Sequence, residues 1–222
     1  GQPDRGGYMR RVCAGCHLMP AVGTSWGRYP RAEQRIVPLF DRNSALPSFT
    51  GLALPYGNGR SYGDSCLNPE GTLLHTRGLD RFISFDPSSG VLRCEAGTTL
   101  EEIIEIVLPQ GWFLPVTPGT RHVTVGGAIA NDVHGKNHHR TGSFGHHVRS
   151  LELLRSDGSR MRCTGDDDRW FAATIGGLGL TGLIVEAELQ LRRVPGTTLE
   201  SENIRFGSID ESEGGNSRRF NG

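Results

Sequence analysis

The sequence predicts an α+β fold, and three observations carry that expectation. Strand-like and helix-like segments come in mixed order rather than in regular alternation, which argues against a dinucleotide Rossmann unit. Two hairpin turns are written out, at DPSSG (86–90) and at Asp157-Gly158, with one amphipathic helix between them. Glycine, 32 of 222 residues, follows no collagen-like period and gathers in a few loops.

The elements follow in order. Residues 1–50 show weak periodicity with recurring glycine, proline and arginine, and are expected to form an irregular N-terminal arm. From Leu52 the character changes, and the short apolar runs at 72–76, 82–85 and 91–96 read as strands. In TTLEEIIEIVLPQG (98–111), Thr98 or Thr99 can cap with Glu101 or Glu102 three residues on. Leu100, Ile103, Ile104, Val107 and Leu108 form one apolar stripe, and Pro109 and Gly111 stop the helix. A short strand of apolar and threonine residues is expected between Pro118-Gly119-Thr120 and Gly126-Gly127.

LELLRSDGSRMRC (151–163) reads as the second hairpin, DDRWFAATIGGLG (167–179) as a short helix entering a glycine loop, and Leu183–Leu191 as a half-buried strand. After Pro195 the text turns polar and loses its pattern. The expected organisation is therefore an arm over 1–50, one domain over 51–195, and at 196–222 a tail or the start of a truncated further domain.

Composition narrows the function classes. Lys+Arg and Asp+Glu are both 24, so no global field favours a nucleic acid, and none is expected as a partner. No run approaches the ~20 apolar residues of a membrane span, and the N-terminus lacks a basic-then-apolar leader, so a cytoplasmic location is the first expectation. Five scattered cysteines, an odd number, fit free thiols better than a disulfide framework.

Three glycine loops are the candidate site. In PYGNGRSYGD (55–64), Gly57, Gly59 and Gly63 surround Arg60 and Ser61, and successive backbone N–H groups in such a turn make an anion-binding concavity. In PVTPGTRHVTVGGAIANDVHGKNHH (115–139), Gly126, Gly127, Ala128 and Ala130 leave room for a planar group against the main chain. GGLGLTG (176–182) repeats the theme, so the three loops could converge on one elongated cofactor carrying a pyrophosphate and a ring system.

Histidines crowd residues 134–147, yet His134, His138 and His139 are interleaved with glycine and a lysine, with Asp132 the one nearby carboxylate. That is a poor ligand set, and no metal site is expected there. His146 and His147 read as surface or supporting residues before the next strand. CAGCH (13–17) matches the covalent haem-attachment pattern, but few residues precede it and Met19 is too near His17 to serve easily as the opposite axial ligand.

GNGRSYGDS, PGTRHVTVGGAIANDVHGKNHHRTGSFGHHVRSLELLRSDG and WFAATIGGLGLTGLI together resemble the FAD-binding domain of the vanillyl-alcohol-oxidase (PCMH-type) FAD-linked oxidases. Within that superfamily the likeness is strongest to the flavoprotein subunits of decaprenylphosphoryl-β-D-ribose 2′-epimerases. SWGRYP (25–30) is similar to the arm that precedes the domain in that group, so the likeness spans about residues 25–195. It implies a PCMH-type domain of two α+β subdomains, followed in the family by a substrate (cap) domain.

It also implies FAD as cofactor, held by Pro55, Tyr56, Gly57, Asn58, Gly59, Arg60, Ser61, Tyr62, Gly63, Asp64 and Ser65 around the pyrophosphate. Gly119, Thr124, Val125, Gly126, Gly127, Asn131, Asp132, Val133 and His134 would line the flavin, and Ile184 the adenosine half. His134 and Tyr62 are the residues implied in catalysis. The family's best-known members carry cysteine at Asn131, a departure that keeps a small polar residue there.

The implied activity is oxidation of the 2′-hydroxyl of a polyprenyl-phosphoryl pentose to a keto sugar in cell-wall arabinan precursor synthesis. An NADH-dependent reductase would complete the epimerisation, and the lipid substrate would bring a peripheral membrane contact on the cytoplasmic or periplasmic side. Because the family's cap and base-like lysine lie beyond the flavin domain, residues 1–222 are expected to bind FAD without efficient turnover. The alternatives are an aldonolactone or alditol oxidase acting on soluble sugars, against which HGKNHH argues, and a non-catalytic flavin or haem electron-transfer module.

Overall fold

Two sheets meet along one seam, and the candidate loops all open at that seam. The computed structural model describes residues 23–165, 168–198 and 205. The first sheet uses β1 (Arg35–Pro38), β2 (Ala53–Tyr56) and β3 (Thr72–His75), all parallel, with β3 in the centre. Its registers are Arg35 opposite Thr72 and Ala53 opposite Thr72, and the central strand is the buried one. The segment read as an irregular arm thus supplies a strand at 35–38; four residues flanked by proline and charge are too few to show a period in sequence.

The hairpin of β4 (Phe82–Asp86) and β5 (Val91–Glu95) turns where expected, with Asp86 Oδ1 accepting from the Ser88 backbone N–H at 2.9 Å. Helix α1 (Leu100–Val107) follows. Its N-cap is Thr99: the Oγ1 accepts from Glu102 N at 3.3 Å while Glu102 Oε2 accepts from Thr99 N at 2.7 Å, the reciprocal capping box read from the sequence. Leu100, Ile103 and Val107 are buried on its inner face. Thr99→Ala is expected to cost about 1 kcal/mol of stability, read as a lowered urea midpoint with unchanged m-value.

After β6 (Trp112–Phe113), helix α2 (Val125–Ala130) and the four-residue α3 (His138–Thr141) carry the histidine-rich stretch. The short strand expected before Gly126 shrinks to a single antiparallel bridge between Thr124 and Thr99, and Thr124 is also the N-cap of α2, its Oγ1 accepting from Gly127 N at 3.1 Å. The extended stretch stops at that bridge because the Thr124 side chain caps the helix that begins at the next residue.

β7 (Val148–Leu154) and β8 (Arg160–Thr164) form the second hairpin around Gly158, whose φ is +81°. Helix α4 (Arg169–Thr174), capped by the Asp168 side chain, leads to β9 (Leu183–Gln190) and then β10 (Arg192–Arg193). The larger sheet runs β4-β5-β9-β7-β8, antiparallel throughout. β10 pairs with β6.

Leu92, Leu151, Leu153 and Leu189 from the larger sheet pack with Ile103, Val107 and Ile129 from α1 and α2 in one apolar core. At the seam, Glu95 and Glu186 are buried, and Arg42 from the segment after β1 reaches both, at 3.1 and 3.2 Å. Arg93 pairs with Glu186 as well. Cys66, Cys94 and Cys163 are free thiols; burial pushes Cys94 up to about 12 and Cys163 up to about 11, so neither is a thiolate at neutral pH. Among the described residues no helix is long and apolar enough to cross a membrane. The CAGCH stretch lies outside the described residues.

Candidate functional site

The three glycine loops meet. The first, residues 55–65, leaves the end of β2; Asn58 Nδ2 crosses to His122 O in the second loop at 2.7 Å, and Gly57 lies so close to Thr124 that a Cβ would collide with its Oγ1. The third loop docks on α2, with Gly176 N donating to Ile129 O at 3.0 Å and Leu178 N to Ala130 O at 2.8 Å. It touches the first where a Cβ on Gly179 would stand 3.3 Å from Pro55 Cδ. Four glycines of these loops, Gly59, Gly63, Gly176 and Gly179, have φ between +58° and +80°, a conformation that disfavours any side chain.

Between the loops is a cleft of about 530 Å³. Pro55, Tyr56, Gly57, Asn58, Gly59, Arg60, Ser61, Tyr62 and Ser65 line it from the first loop; Gly119, Thr124, Gly126, Gly127, Asn131, Val133 and His134 line it from the second, and Ile184 from β9. Four residues expected at the cofactor do not line it. Val125 is fully buried in the core, Asp132 turns its carboxylate to Gly145 N at 2.8 Å, and Gly63 and Asp64 are exposed beyond the loop's inner edge. The resemblance implied those four by their place in the matching motifs, and the direction in which each side chain points is set by the fold.

The sequence also left lining residues unnamed. Trp26, from the arm, donates its backbone N–H to Ser61 O at 2.9 Å and lays its ring 5.9 Å from the Arg60 guanidinium carbon. Cys66, Thr76, Ala96, Val123 and Leu183 are among the other residues that line it. Only SWGRYP carried any signal for Trp26; the others are ordinary loop and strand-end residues that the topology brings to the seam.

The polar equipment suits an elongated anion joined to a flat ring. Arg60 Nε is buried with no hydrogen-bond partner among the described residues, an orphaned donor in the wall of the cleft. Within the first loop Arg60 Nη1 donates to Asn58 O at 2.9 Å and Ser65 Oγ to Tyr62 O at 3.2 Å, which holds the turn around that donor. A Cβ on Gly119 would meet no atom within 4 Å, and one on Gly127 only Thr124 Oγ1 at 3.1 Å, so side chains there would fill the cleft. The missing side chains are the space for the ligand.

His75 lies under the first loop, 5.6 Å from the Tyr56 ring; burial holds its imidazole below the ordinary value and Arg77 adds repulsion, so it is neutral at pH 7. Burial pushes the Cys66 thiol up, which keeps it uncharged. The permanent positive charge in the wall is therefore Arg60. His134 stands exposed at the lip, and Tyr62 is 80% exposed beside the mouth. No group of three or more His, Cys, Asp or Glu side chains suited to a metal occurs among the described residues.

Two packed subdomains with a glycine-walled cleft between them and a buried arginine Nε left without a partner define a flavin-dinucleotide domain. The comparisons agree: residues 51–164 match the FAD binding domain model, just over half of the chain, and the chain belongs to that family. Its cofactor is FAD, as the residues above fit. Decaprenylphosphoryl-beta-D-ribose oxidase of Mycolicibacterium smegmatis is 44% identical over 196 residues, covering 84% of this chain and 43% of that protein. Alditol oxidase of a Streptomyces species is 28% identical over 123 residues, 55% of this chain and 29% of its own length.

The solved structure of alkyldihydroxyacetonephosphate synthase superposes with a TM-score of 0.58 at 18% identity, over 65% of this chain and 28% of that one, and so shares the fold. The chain spans less than half the length of these relatives.

Proposed function

We propose that this chain is the flavin-binding part of an FAD-dependent oxidoreductase that oxidises the 2′-hydroxyl of a polyprenyl-phosphoryl pentose to a keto sugar. The observation that carries it is the 44% identity to the decaprenylphosphoryl-ribose oxidase over 84% of the chain. An alditol oxidase is the weaker reading, matched at 28% over 55% of the chain.

When bound, FAD supplies a two-electron acceptor for hydride from the carbinol carbon. The chain's own residues bind and orient. Arg60 and the first loop's amides hold the pyrophosphate, and Gly119, Gly126 and Gly127 leave the wall flat for the ring system. Asn131 anchors its amide on Gly127 O at 2.8 Å, which fixes its carboxamide against the α2 backbone. His134 and Tyr62 stand at the open side, where a hydroxyl entering from solvent would meet them; their work is to orient the sugar and accept its proton. An NADH-dependent reductase would use the keto product. The lipid tail would hold the protein peripherally to a membrane, on the cytoplasmic or periplasmic face.

Anaerobic mixing of the FAD-loaded protein with one equivalent of farnesylphosphoryl-β-D-ribose tests the reading, since stoichiometric reduction does not require efficient turnover. Loss of the visible flavin absorbance is expected. Reduction by xylitol with no response to the lipid-linked pentose would sink the reading in favour of a soluble-sugar oxidase.

A further inference from the structure

Lys136 is the sole lysine of the chain, against 23 arginines, and it sits two residues from His134 at the lip of the cleft. We propose that Lys136, with His138 and His139, forms a phosphate subsite outside the flavin cleft that holds the phosphodiester of the lipid-linked substrate. The inference rests on the oxidase reading above and names where the substrate's charged link is held.

Three observations carry it. The turn is fixed rather than loose: Gly135 is buried against Thr117 O, where a Cβ would stand 2.8 Å from that carbonyl, and Asn137 Nδ2 donates to Pro115 O at 3.1 Å. A rigid turn presents its cation at one place. Next, the rings of His134, His138 and His139 run edge to face in a file, with centroids 5.4 and then 5.9 Å apart. His134 lines the cleft while His138 and His139 stand beyond its rim, so the file leads outward from the site.

The stretch that carries the turn also lacks acidic residues. No carboxylate occurs from Val133 to Leu151, the nearest one, on Asp132, is engaged by Gly145 N, and among the described residues Lys136 has no ion pair. On the second loop, by contrast, Arg121 and His122 are both paired with Glu101, at 2.9 and 2.8 Å. An ammonium is a compact point charge with three rotatable donors, suited to a phosphate whose approach varies with a flexible lipid, where a guanidinium fork would impose one planar geometry. A sugar reaching the cleft past His134 trails its phosphate across this turn.

Because Lys136 is the single lysine, reductive methylation with ¹³C-formaldehyde labels only its amine and the N-terminal one, while keeping the charge. In FAD-loaded protein the Lys136 methyl resonance is expected to shift saturably with geranyl phosphate, more weakly with inorganic phosphate, and not with geraniol. Binding read from the ³¹P line of geranyl phosphate should weaken about tenfold in Lys136→Gln and in the His138→Gln/His139→Gln double variant, with FAD affinity unchanged.

An unmoved resonance, or an equal shift with sodium chloride at the same ionic strength, would overturn the subsite. So would a response confined to phosphatidylglycerol vesicles, which would make the turn a membrane contact instead. Flavin reduction by the lipid-linked pentose with an unmoved lysine would discard the subsite alone. A geranyl phosphate response without any reduction would uphold the anion site and discard the oxidase reading.

Discussion

Gly59→Val is expected to lower FAD affinity by on the order of 100-fold or more while leaving the fold intact. Gly59 has φ +60°, where a β-branched residue costs roughly 1–2 kcal/mol before any contact is counted. A Cβ there would also collide with Thr24 O and Tyr56 Oη, the two groups that bond the arm to the end of β2, with Tyr56 Oη donating to Thr24 O at 2.8 Å. The loop must move, and its amides and Arg60 lose their common aim.

Gly63→Ala is the matched control. Its φ is similar, +58°, but a Cβ would meet nothing within 4 Å and the residue does not line the cleft, so a loss of about tenfold or less is expected. Isothermal titration with FAD, alongside far-UV circular dichroism, separates the two. Wild-type affinity in Gly59→Val would mean that this loop does not hold the cofactor.

The second large effect is on stability. Glu186→Ala is expected to cost about 3–5 kcal/mol, because the carboxylate is almost fully buried and its removal strands Arg93 and half of the Arg42 interaction at the seam. Glu188→Ala, two residues along the same strand, should cost under about 1 kcal/mol. Its partners Arg149 and Arg162 lie 3.3 and 3.4 Å away and are about half exposed, so water replaces the pairing. Guanidinium unfolding of the two variants checks the contrast, and equal losses would show that burial does not set the value of these pairs. Since Arg42 links the segment after β1 to the larger sheet, Glu186→Ala should also weaken FAD binding more than Glu188→Ala does.

Much of this is legible in the sequence. The capping box at Thr99 and Glu102, the stripe on α1, the two hairpins and β9 are local: each depends on residues within a few positions of one another, and short-range spacing records them. The three loops were visible for a related reason. Glycine marks where backbone needs positive φ or close approach, whatever lies elsewhere in the chain.

What sequence spacing could not record is direction and distance across the chain. β1 pairs with β3 some 37 residues later, Arg35 opposite Thr72, in a parallel ladder that leaves no hairpin signature. Val125 and Asp132 belong to the right stretch but turn into the core and toward Gly145, while Trp26 and Ala96 reach the cleft from other elements. The sequence by itself determined the local elements, the flavin family and the glycines that must stay bare. Only the tertiary structure decided which side chains face the cleft and left the Nε of Arg60 without a partner, because those depend on packing between segments brought together from far apart in the chain.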